Sequence, residues 1–97
     1  MSRPPTYRRK TDRNHTIIRD GLRQIMGHDA VNDTSAIGNG FPDLVVKYAG
    51  LTRFVEVKWP GEKQTPAEIR FQSYLPPDAY IIAEQIEDVL HAFGLSD

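Results

Sequence analysis

The chain has no cysteine among its 97 residues, which excludes disulfide bonds and zinc sites built from thiolates. It also has no apolar run near the roughly 20 residues that a membrane-spanning helix needs, and its Arg-rich start lacks the apolar segment of a signal peptide. Internal repeats and low-complexity segments are missing too. These absences favour one globular domain with a modest core in a reducing, cytoplasmic compartment.

The small net charge of −1 conceals an uneven distribution of charge along the chain. Seven of the 12 lysines and arginines lie within the first 23 residues, and none lies in residues 76–97. The seven are Arg3, Arg8, Arg9, Lys10, Arg13, Arg19 and Arg23. A basic end of this kind can contact phosphates, although a solvated terminus that keeps a chain soluble has the same composition.

The N-terminal quarter predicts an arm followed by one amphipathic helix. Residues 1–11 contain two adjacent prolines within a polar run, which favours a basic, extended and flexible arm. A helix is then expected from Thr11 or Asp12 to Met26, where a glycine ends it. Its predicted buried stripe comprises Ile17, Ile18, Leu22, Ile25 and Met26, with His15 at the edge.

Residues 43–48 and 51–58 predict a β-hairpin whose turn is Ala49-Gly50. Aromatic and β-branched residues dominate both arms, as is typical of strands. Because side chains alternate along a strand, the second arm has two distinct faces. One face carries Phe54, Glu56 and Lys58, and the other carries Val55 and Val57.

A second helix is predicted from the sequence Thr65-Pro66-Ala67-Glu68. Thr65 is suited to the N-cap, proline fits the first helical position, and Glu68 can reach back to complete a capping box. The helix is expected to end at two prolines, Pro76-Pro77. Its predicted inward side chains are Ile69, Phe71 and Leu75.

Three further elements complete the predicted fold: short strands at residues 30–32 and 80–83 and a last helix at 86–93. The resulting order is α-β-β-β-α-β-α. That order is typical of a small α/β protein in which helices flank a mixed β-sheet, here as one domain over residues 12–97.

Three charged residues lie where a hairpin stabilised by packing alone would not need them. Asp43 opens the first arm, while Glu56 and Lys58 share a face near the end of the second. Two carboxylates at adjacent strand ends, with the backbone carbonyl of Val57 between Glu56 and Lys58, provide oxygen ligands for a hard divalent cation. His15 could reach the same place from the first helix as a further ligand.

Lys58 beside such a cation has two available roles. It can orient or deprotonate the attacking water, or it can stabilise negative charge that develops on a phosphodiester. A nearby cation and partial desolvation both lower the pKa of a lysine, which favours the first role.

Each of these residues also has a structural interpretation. Glu56 and Lys58 could form a solvent-exposed pair on one face of a strand. Asp43, after a proline, could be a turn residue. A single histidine at the edge of an apolar face is more often a hydrogen-bonded structural residue than a ligand, which applies to His15. What favours a site is the joint pattern of a glycine-rich approach, Pro42-Asp43, a hairpin and then Glu56-Val57-Lys58.

The same residues resemble a known family. Residues 40–44, Gly-Phe-Pro-Asp-Leu, followed 13 residues after the aspartate by Glu56-Val57-Lys58, resemble the PD-(D/E)XK nuclease superfamily. Residues 64–71, Gln-Thr-Pro-Ala-Glu-Ile-Arg-Phe, are similar to those of stand-alone, phage-type VRR-NUC domains. Such domains resemble Holliday-junction resolvases and form dimers. The resemblance spans roughly residues 12–94.

This resemblance implies a restriction-endonuclease-like core with a metal centre. Asp43 and Glu56 would bind Mg²⁺ or Mn²⁺ together with the carbonyl of Val57, and Lys58 would be the catalytic lysine. The implied activity is a divalent-metal-dependent DNA endonuclease, acting as a homodimer on duplex or branched DNA such as Holliday junctions, without an organic cofactor. A phage origin would place it in the host cytoplasm.

Two positions depart from the family pattern. Relatives usually carry a glutamate after an asparagine on the first helix, whereas here Asn14 is followed by His15. A histidine ligand would shift the metal preference from Mg²⁺ towards Mn²⁺ or another transition metal. Relatives also often carry glutamine where this chain has Glu68.

The loop before the hairpin and the basic residues predict the DNA-binding surface. Glycines at 38 and 40 suggest a loop that approaches another group closely. The predicted DNA contacts are Arg8, Arg9, Lys10, Gly40, Lys63 and Gln64. Phe41, Trp59 and Tyr74 are candidates for exposed aromatic anchors of a dimer.

Two other classes of function stay open. The histidine departure and the modest net charge are compatible with a nuclease-fold module that binds DNA without cutting it. The acidic C-terminal helix could instead be the contact surface of a small interaction protein. Both DNA hypotheses predict an affinity that falls steeply with salt, and the interaction protein predicts no DNA affinity.

Overall fold

A computed structural model describes the backbone of residues 5–95 and the side chains of residues 10–95. Three helices and four strands follow one another in the order α-β-β-β-α-β-α, with a short 3₁₀ turn before the first strand and another before the last. Their bounds are α1 Pro5–Met26, β1 Val31–Asp33, β2 Leu44–Tyr48, β3 Leu51–Val57, α2 Pro66–Ser73, β4 Tyr80–Ala83 and α3 Ile86–Ala92. The predicted mixed α/β class is confirmed.

The four strands form one sheet in the order β1-β2-β3-β4. β1, β2 and β3 are antiparallel neighbours, and β4 runs parallel to β3. The parallel pair requires a crossover, which the chain makes through α2. This mixed sheet is compatible with the restriction-endonuclease-like core that the sequence resemblance implies.

The predicted hairpin is confirmed in position and register. Leu44 pairs with Val55 and Tyr48 pairs with Leu51, so the two arms are joined by two residues only. Both of these, Ala49 and Gly50, have positive φ angles, of 52° and 81°. Such a type I′ turn matches the twist of antiparallel strands and therefore holds the register of the whole hairpin.

α1 begins at Pro5, six residues before the predicted start at Thr11. The predicted extended arm is therefore wrong for residues 5–11, whereas residues 1–4 lie outside the described part. Proline is well accommodated in the first turn of a helix, because the N–H that it lacks has no partner there. Pro5, one of the two prolines that suggested an arm, thus marks the beginning of the helix.

One face of the sheet packs against α1 and α3. The buried residues of α1 recur every four residues, and four residues of a helix turn through about 400°, because each turns about 100°. The direction that faces the sheet therefore rotates by about 40° at each such step. Ile17 and Ile25 therefore fall about 100° away from the local contact and are 61% and 54% exposed, so their predicted burial is wrong. The core contains Ile18, Leu22, Met26, Val31, Leu44, Val46, Val55, Val57, Ala83 and Val89.

The other face of the sheet is covered by α2 through aromatic side chains. Phe71 makes edge-to-face contacts with Phe41 and Phe54, with ring centroids 5.1 and 5.8 Å apart. Phe41 is thus part of this layer, and its prediction as an exposed anchor is wrong. Ile69, two residues before Phe71, is 53% exposed, because a separation of two places it on the opposite side of the helix.

The predicted start of α2 is confirmed in detail. The hydroxyl of Thr65 accepts from the backbone N–H of Glu68, and the Glu68 carboxylate accepts from that of Thr65. This capping box fixes the carboxylate of Glu68 at the N-terminus of the helix. The helix ends at Ser73, earlier than the predicted end at the two prolines. None of the helices in residues 5–95 is long and apolar enough to cross a membrane.

Candidate functional site

The hairpin brings Asp43 next to the end of β3. Asp43 directly precedes Leu44, which pairs with Val55, so the aspartate lies beside Glu56 and Val57 on the neighbouring strand. Its Oδ2 atom accepts a hydrogen bond of 2.8 Å from the backbone N–H of Val57. Because this bond joins a side chain to the strand end, Asp43 is a fixed part of the fold as well as a candidate ligand.

Asp43, Glu56, Val57 and Lys58 line one cleft of about 180 Å³. The remaining lining residues come from α1, from the turn after β3 and from the start of α2; they are Thr11, Glu62, Lys63, Thr65 and Glu68. Four parts of the chain that are distant in sequence thus converge here. The structure brings together the carboxylates, the backbone segment and the lysine that the sequence singled out.

Lys58 is buried among three carboxylates. Its Nζ atom lies 2.7 Å from Glu68, 3.6 Å from Glu62 and 3.7 Å from Glu56. Burial alone would lower the pKa of this lysine, but the hydrogen bond to Glu68 and the neighbouring negative charges outweigh it and raise the pKa above the ordinary value. These contacts hold Lys58 as an ammonium ion, and the lowering of its pKa by a nearby cation stays a prediction.

Glu56 is buried, with only 3% of its surface exposed. Burial, reinforced by the negative charges of Asp43 and Glu68, raises its pKa to about 10. Burial also raises the pKa of Asp43. Two carboxyl groups side by side in a poorly solvated cleft cannot both ionise cheaply, so they hold a shared proton when no cation is present.

One oxygen of Glu56 has no suitable donor. Within the described residues, no N–H or hydroxyl group donates to the buried Oε1 atom. The hydrogen-bonding neighbours of the Glu56 side chain as a whole are the carboxyls of Asp43 and Glu68, and each of these contacts needs a proton between two oxygens. A divalent cation can take the place of such a proton, because it binds carboxylate oxygens and carries two positive charges. The donor set of Asp43, Glu56 and the Val57 carbonyl therefore fits a hard metal ion.

The fit depends on the backbone carbonyl as well as on the side chains. The described residues contain no group of three or more histidine or carboxylate side chains arranged to hold a metal ion. Glu62 and Glu68 line the cleft but are directed to Lys58. Two carboxylates with one carbonyl and water molecules remain a normal ligand set for Mg²⁺, which keeps several waters.

His15 lies in a neighbouring cleft of about 450 Å³ that shares Thr11 and Asp43 with the first. Its Nε2 atom is 3.5 Å from Oδ1 of Asp33 without forming a hydrogen bond. Asp33 is already bonded to Ser35 and Arg19, and these bonds outweigh its partial burial and lower its pKa to about 2. The carboxylate nearest to His15 is thus that of Asp33, which does not line the cleft of Lys58, while Asp43 lines both clefts.

The predicted DNA contacts are distributed unevenly. Lys63 is exposed and lines the cleft that contains Lys58. Gln64 is used internally instead, because its amide donates to Gln72 at 3.0 Å and lies 3.4 Å from the hydroxyl of Tyr80. Lys10 lies over the ring of Trp59, with 5.4 Å between Nζ and the centroid. The predicted contacts at Arg8 and Arg9 have side chains outside the described part.

Gly40 approaches the backbone of α2. A methyl group at this position would overlap the carbonyl group of Ala67 and lie 2.9 Å from its Cβ atom. The close approach that the glycine-rich loop predicts is confirmed, but its partner is a helix of the same chain. Packing against α2 therefore accounts for the glycine at this position, and a DNA contact of Gly40 stays a prediction.

Three residues near the cleft were not predicted as part of a site: Asn14, Glu62 and Glu68. Glu68 was expected only as a helix cap. The one feature of the sequence that could have indicated a role in the site is that a glutamate stands where relatives often carry glutamine. Glu62 follows Lys58 by four residues, but it lies in a turn, where that spacing predicts no contact. Asn14 could have been suspected only because a polar residue falls on the buried stripe of α1.

Asn14 ties α1 to the ends of two strands. Its amide donates to the carbonyls of Lys58 at 2.7 Å and Glu84 at 3.0 Å, and the residue is only 7% exposed. We expect Asn14→Ala to lower the free energy of unfolding by about 2 kcal/mol, because one buried and one partly buried carbonyl lose a donor. Urea denaturation measures this, with the exposed Asn32→Ala as control. Equal stability of both variants would contradict this role of Asn14.

Comparison of the chain with protein-family models, with curated proteins and with solved structures finds no match.

Proposed function

We propose that this protein is a divalent-metal-dependent DNA endonuclease. The observation that carries the proposal is the buried carboxyl of Glu56: its Oε1 atom has no donor among the described residues, and the residue lines one cleft with Asp43 and Lys58. A buried carboxylate cluster costs stability, and such clusters are a common feature of functional sites. The sequence resemblance to PD-(D/E)XK nucleases, carried by the same residues, supports the assignment.

Asp43 and Glu56, with the Val57 carbonyl, would hold the cation. When bound, Mg²⁺ or Mn²⁺ neutralises the charge of a phosphodiester and makes a water molecule more acidic. Asp43 is oriented for its role by the hydrogen bond from Val57. Glu56 is oriented by the strand itself, since it lies one residue before the end of β3. The ligands are therefore placed by regular backbone structure.

Lys58 acts as a fixed positive charge in this proposal. Glu68 holds its ammonium group at 2.7 Å, and the raised pKa keeps the proton on Nζ. A protonated lysine donates hydrogen bonds to a phosphate oxygen and stabilises the negative charge that grows there. Of the two roles considered for Lys58, this favours stabilisation of the negative charge on the phosphodiester over activation of the attacking water. A glutamate at 68, rather than a glutamine, is what supplies the full countercharge.

The proposed substrate is duplex or branched DNA, including four-way junctions, cut by a homodimer. Support for the substrate comes from the resemblance to phage-type VRR-NUC domains and from Lys63 at the rim of the cleft. Support for the dimer is geometric, because a chain of 97 residues covers few base pairs and symmetric cutting of two strands needs two sites.

The direct test is cleavage of a synthetic four-way junction, with a linear duplex of the same sequences alongside. We expect cleavage with Mg²⁺ or Mn²⁺ and none with EDTA. Asp43→Ala and Lys58→Ala should both lose it, whereas Lys47→Ala, an exposed lysine on β2 remote from the cleft lining, should not. Cleavage that survives both Asp43→Ala and Lys58→Ala would refute the assignment.

A second candidate is a nuclease-fold module that binds DNA without cutting it. Two observations favour it. The part of the chain that is described has no cluster of three side chains that could hold a metal ion, and the Nε2 atom of His15 lies 3.5 Å from Oδ1 of Asp33. Calorimetric titration with Mn²⁺ separates the two candidates. The endonuclease predicts binding heat that disappears in Glu56→Gln, and the binding module predicts no heat that depends on this carboxylate.

A further inference from the structure

The turn that follows Lys58 holds an aromatic side chain in a fixed position. Residues 59–62, Trp-Pro-Gly-Glu, form a type II turn in which Gly61 has a φ of 89° and the N–H of Glu62 donates to the carbonyl of Trp59 at 2.9 Å. The carboxylate of Glu62 accepts from the N–H of Trp59 and from the hydroxyl of Thr11, each at 3.0 Å. The turn is thereby bound to α1, and the indole of Trp59 projects from an anchored backbone.

The surroundings of this indole are exposed and basic. Trp59 is 37% exposed, and Lys10 lies 5.4 Å above its ring. Lys63, also exposed, lines the adjacent cleft. The one carboxylate of the turn, Glu62, lies 3.6 Å from the ammonium group of Lys58. An aromatic surface with one lysine over its ring and another at the adjacent cleft suits a ligand that combines a flat ring with negative charge.

The size of the cleft determines where the rest of a nucleotide must lie. The cleft measures about 180 Å³, and its walls are charged or polar side chains and backbone. A phosphate with its cation and waters suits such walls, whereas an apolar base face does not. The base attached to a phosphate in the cleft must therefore lie outside it, and Trp59 is the residue next to Lys58 along the chain.

We infer that the indole of Trp59 is a stacking platform for a nucleobase adjacent to the phosphate in the cleft. The inference rests on the proposed function and specifies its substrate class: DNA in which a base is free to leave the helical stack, as at a branch point or in a single strand. Lys10 and Lys63 would pair with the flanking phosphates. Stacking on an aromatic ring accepts any base, so the platform adds affinity without sequence specificity.

The same exposed tryptophan could in principle be the anchor of a protein–protein contact. Lysine is depleted from the centres of protein interfaces, because its ammonium group is strongly hydrated. A ring with one lysine over it and another at the neighbouring cleft has the composition of a nucleic-acid surface instead. The geometry thus favours the base over a second copy of the chain.

Trp59 is the only tryptophan in the chain, so its fluorescence reports on this position alone. The experiment titrates the wild-type protein in EDTA with a short single-stranded oligothymidylate and follows indole emission. A matched oligomer of abasic deoxyribose phosphates supplies the same charges without bases. We expect saturable quenching by the oligothymidylate and little by the abasic oligomer.

Binding of a fluorescently labelled oligothymidylate, measured by anisotropy, completes the test. Trp59→Ala should weaken binding about 10-fold, within the range of one base–aromatic stack, and Trp59→Phe should retain most of the affinity. Tyr74→Ala is the matched control, because Tyr74 is 82% exposed and is not among the residues that line the cleft. Circular dichroism of each variant checks that the fold is intact.

The outcomes separate this inference from the proposed function. Equal quenching by both oligomers, with unchanged affinity in Trp59→Ala, would overturn the platform even if the protein cleaves DNA. Base-dependent quenching without metal-dependent cleavage would support the platform and refute the endonuclease. Emission that changes with protein concentration alone would show that Trp59 lies in a self-association contact, and the absence of any oligonucleotide binding would overturn the platform as well.

Discussion

Replacing Glu56 with glutamine is expected to change activity and stability in opposite directions. Metal-dependent cleavage should fall by roughly 1,000-fold or more, the equivalent of several kcal/mol of transition-state stabilisation. The free energy of unfolding at pH 8 should rise by about 1–3 kcal/mol, because an amide of the same shape removes a buried acid from a cluster of negative charge. Glutamine can also donate to the carboxylates beside it, where glutamate needs a proton.

The gain in stability should depend on pH with a definite sign. The folded-state pKa of Glu56, raised from 4.5 to about 10, means that the folded protein keeps a proton that the unfolded chain releases. This contribution to stability is fully present below about pH 4.5 and is lost progressively as the pH rises towards 10. Wild type should therefore lose stability over this window, and Glu56→Gln should lose less. The difference between them should be small near pH 4.5 and grow upwards.

Thermal unfolding at several pH values in EDTA measures the effect, and Glu84→Gln is the control. Glu84 is exposed and is not among the residues that line the cleft, so the same chemical change there should leave the melting temperature within a degree or two of wild type. Addition of Mn²⁺ should then stabilise wild type but not Glu56→Gln, since only the former binds the cation in its folded state. A Glu56→Gln protein less stable than wild type at pH 8 would contradict the buried-charge account of the cleft.

The parts of this site that could be predicted are those fixed by local rules. The hairpin follows from alternation and a two-residue turn, and together these place Asp43 opposite Glu56 on the neighbouring strand. The start of α2 follows from four residues, Thr-Pro-Ala-Glu, whose capping box is observed as expected. Each rule acts over fewer than 20 residues, so no knowledge of the tertiary arrangement is needed.

The parts that escaped prediction depend on how distant elements pack. Nothing in the sequence indicates that α2 lies over the end of β3, and this packing alone turns Glu68 from a helix cap into the partner of Lys58. The raised pKa of Lys58 follows from that contact, so this effect could not be predicted from the sequence either. The predicted burial of Ile25 on α1 was wrong because the direction that faces the sheet rotates along the helix. Tertiary geometry thus decides the charge state of the site.

Gly40→Ala is expected to destabilise the protein by about 3 kcal/mol. The residue has a φ of 83°, a conformation that costs an alanine about 1–2 kcal/mol. Its new methyl group would also overlap the backbone of Ala67, which cannot move aside as a flexible side chain can. Relief would require α2 to shift away from the loop, and such a shift would carry Glu68 away from Lys58.

Gly38→Ala separates the cost of the positive φ angle from the cost of overlap with α2. Gly38 has a similar φ of 75°, yet a methyl group there would have no atom within 4 Å. It should therefore lose only about 1 kcal/mol, measured by urea denaturation beside Gly40→Ala. Because Gly38→Ala leaves α2 in place, it should also keep wild-type cleavage, whereas Gly40→Ala should lose activity even under conditions where it remains folded. Equal losses in the two variants would mean that backbone strain alone sets the requirement for glycine, and that contact with α2 does not position Glu68.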